Sequence, residues 1–202
     1  MTDETIDELI DATYAALCKH GYADLTMQDI ADESTKSKAA LHYHYDTKQD
    51  LLLAFLAALY EDFTARLRDP EGDDPAERLV TFVDRALTPP ARDDQRAFQT
   101  AILAIKAQVP YDDAFAERIG EFDAFVHDRC RSIVAEGIEQ GVFRDVDPDR
   151  VATFLVTLFN GAHVRWVTEG QSADVTQELF VEYVRSQLLA DDASEPAAER
   201  AP

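Results

Sequence analysis

Apolar residues recur at three- and four-residue spacing along most of the chain, and nothing reads as short strands between closely spaced turns. Ile6, Leu9, Ile10, Thr13 and Leu17 follow helical spacing and predict a first helix over residues 3–20, closed by Gly21. Leu51, Leu52, Phe55, Leu56, Leu59 and Phe63 cover a broad face of a helix over 48–68. That helix is about 30 Å long at the usual rise. The segment DPEGDDPAE then breaks the pattern and reads as a loop. Asp74 and Pro75 start a fifth helix that ends near Thr88, before Pro89-Pro90. A sixth helix is expected over 91–108, stopping before Pro110. The seventh runs from about residue 111 to Gln140, with a kink expected at Gly120. Asp147 and Pro148 open an eighth that closes at Gly170, and a ninth is expected over 175–190. The tail from 191 to 202 is polar and small, and is expected to be disordered.

The densest local signal is TMQDIADESTKSKAALHYHYDTK, from Thr26 to Lys48. Thr26 with Asp29 reads as a capping-box-like helix start, and Ile30 and Ala31 form the apolar part of that helix. Glu33 to Lys36 are turn-like, and Ser37 caps a second short helix over 38–43. Thr47 and Asp50 repeat the threonine/acid pair ahead of LLLAFLAAL. Two capped short helices around a tight turn predict a helix-turn-helix, whose second helix enters the DNA major groove. By position, Lys36, Lys38, Ala39 and His42 are the candidates for base edges, and Leu41 and Tyr45 pack inward. The alternate spacing of His42 and His44 points the imidazoles to different sides of a helix, which argues against a metal site there.

Charge complicates a DNA-binding reading. Forty acids against 19 bases give −21, and only five of the bases are lysine. Such a surface resembles proteins of salt-accumulating cells, where molar salt screens the self-repulsion. DNA affinity normally rests on Lys and Arg meeting phosphates. Three of the five lysines, Lys36, Lys38 and Lys48, nonetheless fall within residues 34–48, against Asp46 alone. No apolar run reaches the length of about 18 residues needed to cross a membrane. The N-terminus lacks a signal-peptide pattern, and Cys18 and Cys130 suggest no disulfide framework, so a cytoplasmic location is expected.

The segment IADESTKSKAALHYHYDTKQDLL resembles the signature of the tetracycline-repressor (TetR) family. Ile30-Ala31, Ser37-Lys38, Leu41, Tyr43, His44, Lys48 and Leu51 match it. Thr35-Lys36 stand where the family usually has Gly-Val, His42 replaces a common Tyr, and Tyr45 replaces Phe. The resemblance implies an all-α protein of about nine helices. Residues 1–47 would form a three-helix DNA-binding domain, and 48–190 a C-terminal ligand-binding and dimerisation domain. It also implies phosphate contacts from Thr26, Ser37, Tyr43, His44 and Lys48, a homodimer on a palindromic double-stranded DNA operator, and release by a small molecule. No cofactor or metal is implied.

Within that frame, apolar and aromatic residues of the middle helices are candidate effector contacts: Phe98, Ile102, Phe122, Val126 and Phe159, with His127, His163 and Trp166 beside them. An acyl-CoA would also want Arg92, Arg96 and Lys106. The last two helices offer a four-helix-bundle dimer face. Its candidates are Leu158, Gly161, Ala162 and Arg165 on the eighth helix, and Phe180, Tyr183, Val184 and Leu188 on the ninth. The sequence carries no nucleophile elbow, phosphate loop or zincin motif, which argues against a helical enzyme. The remaining alternative is a ligand-binding or protein-interaction regulator that has lost DNA binding.

Overall fold

In the computed structural model, residues 3–88 and 94–190 are described, and they are helical with short connections. The helices are α1 (Asp3–Asp24), α2 (Met27–Asp32), α3 (Lys38–His44), α4 (Lys48–Leu67), α5 (Pro75–Leu87), α6 (Gln95–Lys106), α7 (Asp113–Glu139), α8 (Pro148–Glu169) and α9 (Asp174–Tyr183). The side chain of Ile6, the Pro89-Pro90 stop, Arg92 and the 191–202 tail lie outside the described residues. No described helix is long and apolar enough to cross a membrane.

The chain divides into two compact units, Met1–Phe63 with Pro90–Phe122, and Thr64–Pro89 with Asp123–Pro202. The expected boundary at residue 47 follows chain order, whereas the packing groups α6 and the first part of α7 with α1–α3. In this first unit, Leu9, Leu17, Ile30, Leu41, Leu52, Phe55 and Phe115 form one buried core. Gly21 takes φ 68°, which only glycine adopts without strain, and breaks the helical path of α1 as expected. Tyr14 on α1 stacks on Phe98 of α6 at 4.4 Å, and its hydroxyl donates to Asp94 Oδ1 at 2.8 Å.

The second unit is built on α5, whose start follows the sequence signal. Asp74 accepts from the Glu77 N–H at 2.9 Å, with Pro75 in the first turn. Leu79, Phe82, Val83, Ala86 and Leu87 form its buried face. Arg78 ties α5 to α7 through Glu136 at 2.7 Å. Gly137 lets the Phe143 ring pack directly on α7, because an added Cβ would stand 2.1 Å from that ring. Arg144 N–H donates to Leu188 O and Ala190 N–H to Val142 O, fastening the loop after α7 to the end of the described chain.

Three expectations about elements change. α7 runs through Gly120 as one helix, because its neighbours supply helix-forming spacing on both sides. α6 begins at Gln95, after Asp94. The ninth helix turns into a π-helical segment at Val184–Leu188 and gives way to extended backbone at Leu189, where Phe143 pairs with it.

Candidate nucleic-acid interface

The surface in question is assembled by caps and one buried anchor. Thr26 and Asp29 form a reciprocal capping box: Asp29 N–H donates to Thr26 Oγ1 at 3.2 Å, and Thr26 N–H donates to Asp29 Oδ2 at 2.8 Å. The Thr26 hydroxyl also donates to that carboxylate, at 2.6 Å. These bonds hold the Asp29 carboxyl below its ordinary range, with the Thr26 side chain as the largest cause. At α3, Ser37 Oγ accepts from Ala40 N–H at 3.2 Å. Leu41 is fully buried against the core, and Tyr45 packs partly into it, as their predicted inward roles require. With Leu41 as anchor, Lys38, Ala39, His42, Tyr43 and His44 are all exposed. Tyr43 is 84 % exposed and meets the His44 ring edge-on at 5.0 Å.

Three of the predicted DNA contacts have other tasks in the protein. Lys48 is half-buried; its ammonium donates to Tyr22 O at 3.2 Å and sits 5.0 Å above the Tyr22 ring. Thr26 has its single hydroxyl proton engaged by Asp29, so a phosphate would have to displace that bond. Lys36 pairs with Glu8 Oε2 at 3.2 Å. Glu8 is the residue that sequence reasoning missed. It lies 27 positions before Thr35, and no local pattern links the two. Its other oxygen accepts from the Thr35 N–H and hydroxyl, and these bonds, the hydroxyl first, hold the Glu8 carboxyl below its usual range.

The candidate effector residues divide between the units. Phe98, Ile102 and Phe122 belong to the first, where Phe122 meets Tyr60 and Phe63 at 5.2 and 5.6 Å. Val126, His127, Phe159, His163 and Trp166 belong to the second. There, Phe82, Leu87, Val126, Cys130, Leu155, Leu158 and Phe159 line an apolar crevice with about 10 Å³ of free space. That is roughly room for one water. Burial pushes the Cys130 thiol up to about 12. His127 faces Asp128 at 3.5 Å, and among the described residues no three His, Cys, Asp or Glu side chains gather as metal ligands.

The dimer candidates also divide. Phe180, Val184 and Leu188 are buried inside the second unit, so they pack the protomer's own core and have no surface to offer a second copy. This corrects the expectation from helical spacing, which does not distinguish an inner from an outer apolar face. Gly161 is exposed with open space beside it. Tyr183 is half-buried and stacks on Phe154 at 4.8 Å. Arg165 pairs with Glu169 and Gln171, Ala162 is half-buried, and Leu158 joins the crevice lining. Phe154, Val164, Val175 and Leu179 are the large apolar residues that α8 and α9 leave exposed.

Comparison with known proteins places both parts of the chain. Residues 9–55 match the N-terminal family described as bacterial regulatory proteins, tetR family, and residues 75–189 match the BetI-type transcriptional repressor C-terminal family. A TetR transcription regulator from Haloarcula marismortui is 40% identical, with a TM-score of 0.85 over 92% of this chain and 98% of that one. A regulator from Saccharomonospora viridis, solved in complex with choline, has the same fold at 24% identity, with a TM-score of 0.79 over 94% of this chain and all of that one. The transcriptional repressor AcnR of Corynebacterium glutamicum is 24% identical over 85% of this chain and 87% of its own length.

Proposed function

The chain belongs to the TetR family of transcriptional regulators, and on that premise we propose that it binds a palindromic DNA operator as a homodimer and is released by a small molecule. The observation that carries the DNA part is the α3 surface. Lys38, Ala39, His42, Tyr43 and His44 are exposed on a short helix fixed by the Ser37 cap and the buried Leu41. Lys38, Ala39 and His42 face base edges; Tyr43, His44 and Ser37 hold phosphates. Ser37 suits this role because its oxygen accepts the cap bond and leaves the hydroxyl proton for an anion. Lys48 and Thr26 act mainly by orienting the helices that carry these groups. The protein is a regulator and not an enzyme.

A two-fold operator needs a two-fold protein. The proposed dimer surface is the exposed side of α8 and α9, with Phe154, Gly161, Val164, Val175 and Leu179 taking the place of the buried Phe180, Val184 and Leu188. For the effector, the crevice bounded by α5, α7 and α8 supports an apolar or amphipathic class, since no charged side chain lines it. The choline complex of the Saccharomonospora regulator supports a small organic cation as the second class. In either case a crevice this tight must open to admit a ligand. The effector then acts by favouring an open state that spaces the recognition helices wrongly for the operator.

The strong acidity is proposed to suit the protein to molar salt, in keeping with its similarity to the Haloarcula regulator. The test of the DNA reading is Lys38→Ala with Tyr43→Ala, measured on DNA upstream of the protein's own gene. Binding should fall more than about tenfold, since a good base contact contributes about 1–3 kcal/mol. Helicity and self-association should be unchanged. Equal binding by parent and variant would move the DNA surface away from α3, and would favour a regulator that acts through protein contacts.

A further inference from the structure

We propose that Glu8 is a positioning residue for DNA recognition: its carboxylate fixes the turn ahead of α3 and withholds Lys36 from the phosphates. The inference rests on the reading of α3 as the DNA surface. Both Glu8 oxygens are committed. Oε1 accepts from Thr35 N–H at 2.6 Å and from the Thr35 hydroxyl at 2.5 Å, and Oε2 lies 3.2 Å from Lys36 Nζ. The turn is also held from within, because Ser34 Oγ accepts from Lys36 N–H at 3.0 Å. Thr35 and Lys36 are the turn residues that depart from the family signature. A Gly-Val pair at these positions would bring no hydroxyl and no ammonium to the carboxylate. The acid on α1 and the two residues of the turn are therefore chemically matched.

The pairing has an electrostatic consequence. Glu8 and Lys36 together carry no net charge, so the lysine two residues ahead of α3 adds nothing to phosphate neutralisation while the pair is intact. For Lys36 to reach a phosphate it must leave Glu8, and the carboxylate would then face the DNA unpaired. An intact pair keeps the interface less dependent on counterion release. Each phosphate neutralised by a free cation adds about 0.9 to the slope of log affinity against log salt.

The experiment measures that slope from moderate to molar KCl, on a duplex recovered by random-site selection with the parent protein. Glu8→Gln keeps an acceptor for Thr35 but frees Lys36, and should steepen the slope by about 0.9 for each protomer bound. Combining Glu8→Gln with Lys36→Met should restore the parent slope. Thermal unfolding of each variant checks that the fold persists. Lys38→Ala is the control for the underlying reading and should weaken binding to the selected duplex, by about tenfold or more. The proposal is overturned if the Glu8→Gln, Lys36→Met double variant gives a flatter slope than the parent, which would mean that Lys36 already meets a phosphate, while Lys38→Ala still weakens binding and leaves α3 as the DNA surface. It is also overturned if Glu8→Gln weakens binding with no change of slope, which would make Glu8 a structural support only. If Lys38→Ala changes nothing, both the proposal and the DNA reading fall.

Discussion

Two of the three lysines that cluster between residues 34 and 48 have partners inside the protein, Lys36 on Glu8 and Lys48 on Tyr22. Charge counting along the sequence locates such a cluster but not its engagements, because Glu8 and Tyr22 reach it only through the packing of α1. Apolar spacing has the same blind spot at Phe180, Val184 and Leu188, which it marks as apolar without saying what covers them. The caps were legible, because a cap is a local interaction over three residues. Thr26 with Asp29, Ser37 with Ala40, and Asp74 with Glu77 all form as the sequence implies. Gly137 was not legible, since its reason is the ring of Phe143 beyond the next turn. Gly137→Ala should lower unfolding free energy by about 1–3 kcal/mol through overpacking against that ring. Denaturant unfolding reads this directly, and an unchanged midpoint would show that the ring moves aside at no cost.

At the scale of elements, the α2–turn–α3 segment depends on few buried groups and several side-chain bonds to exposed carboxylates. Thr26→Ala removes the α2 cap and should cost about 0.5–2 kcal/mol. Acid should loosen the same segment. Glu8 and Asp29 both have folded pKa values below their ordinary ones, so their contribution is fully present above the ordinary carboxyl range and is lost as pH falls through the lowered values. The thermal midpoint should therefore drop in that acidic window, and Glu8→Gln should drop less over it than the parent. A variant as acid-sensitive as the parent would remove Glu8 from this account. Helix positions were read from the sequence to within a few residues. The packing of α6 and early α7 with α1–α3 was not, because residues far apart in the chain make those contacts.

For the molecule as a whole, the −21 charge is the dominant long-range term. The Debye length shrinks from about 10 Å at 0.1 M to about 3 Å at 1 M, so molar KCl removes most repulsion between surface carboxylates. The thermal midpoint should rise steadily with KCl over that range. A midpoint indifferent to salt would mean that the acids are spaced widely enough not to interact. Like-charge repulsion between protein and DNA is screened by the same salt, which on the proposed reading lets a chain this acidic bind DNA through the few basic and aromatic groups of α3.

The most direct test of the account is a random-site DNA selection, run in molar KCl on the parent protein and on the Lys38→Ala, Tyr43→Ala variant. The account predicts that the parent enriches an inverted repeat with half-sites about one helical turn apart, and that the variant enriches nothing. Enrichment of the same sequences by both proteins, or of none by either, would contradict the assignment of α3 as the surface that reads DNA.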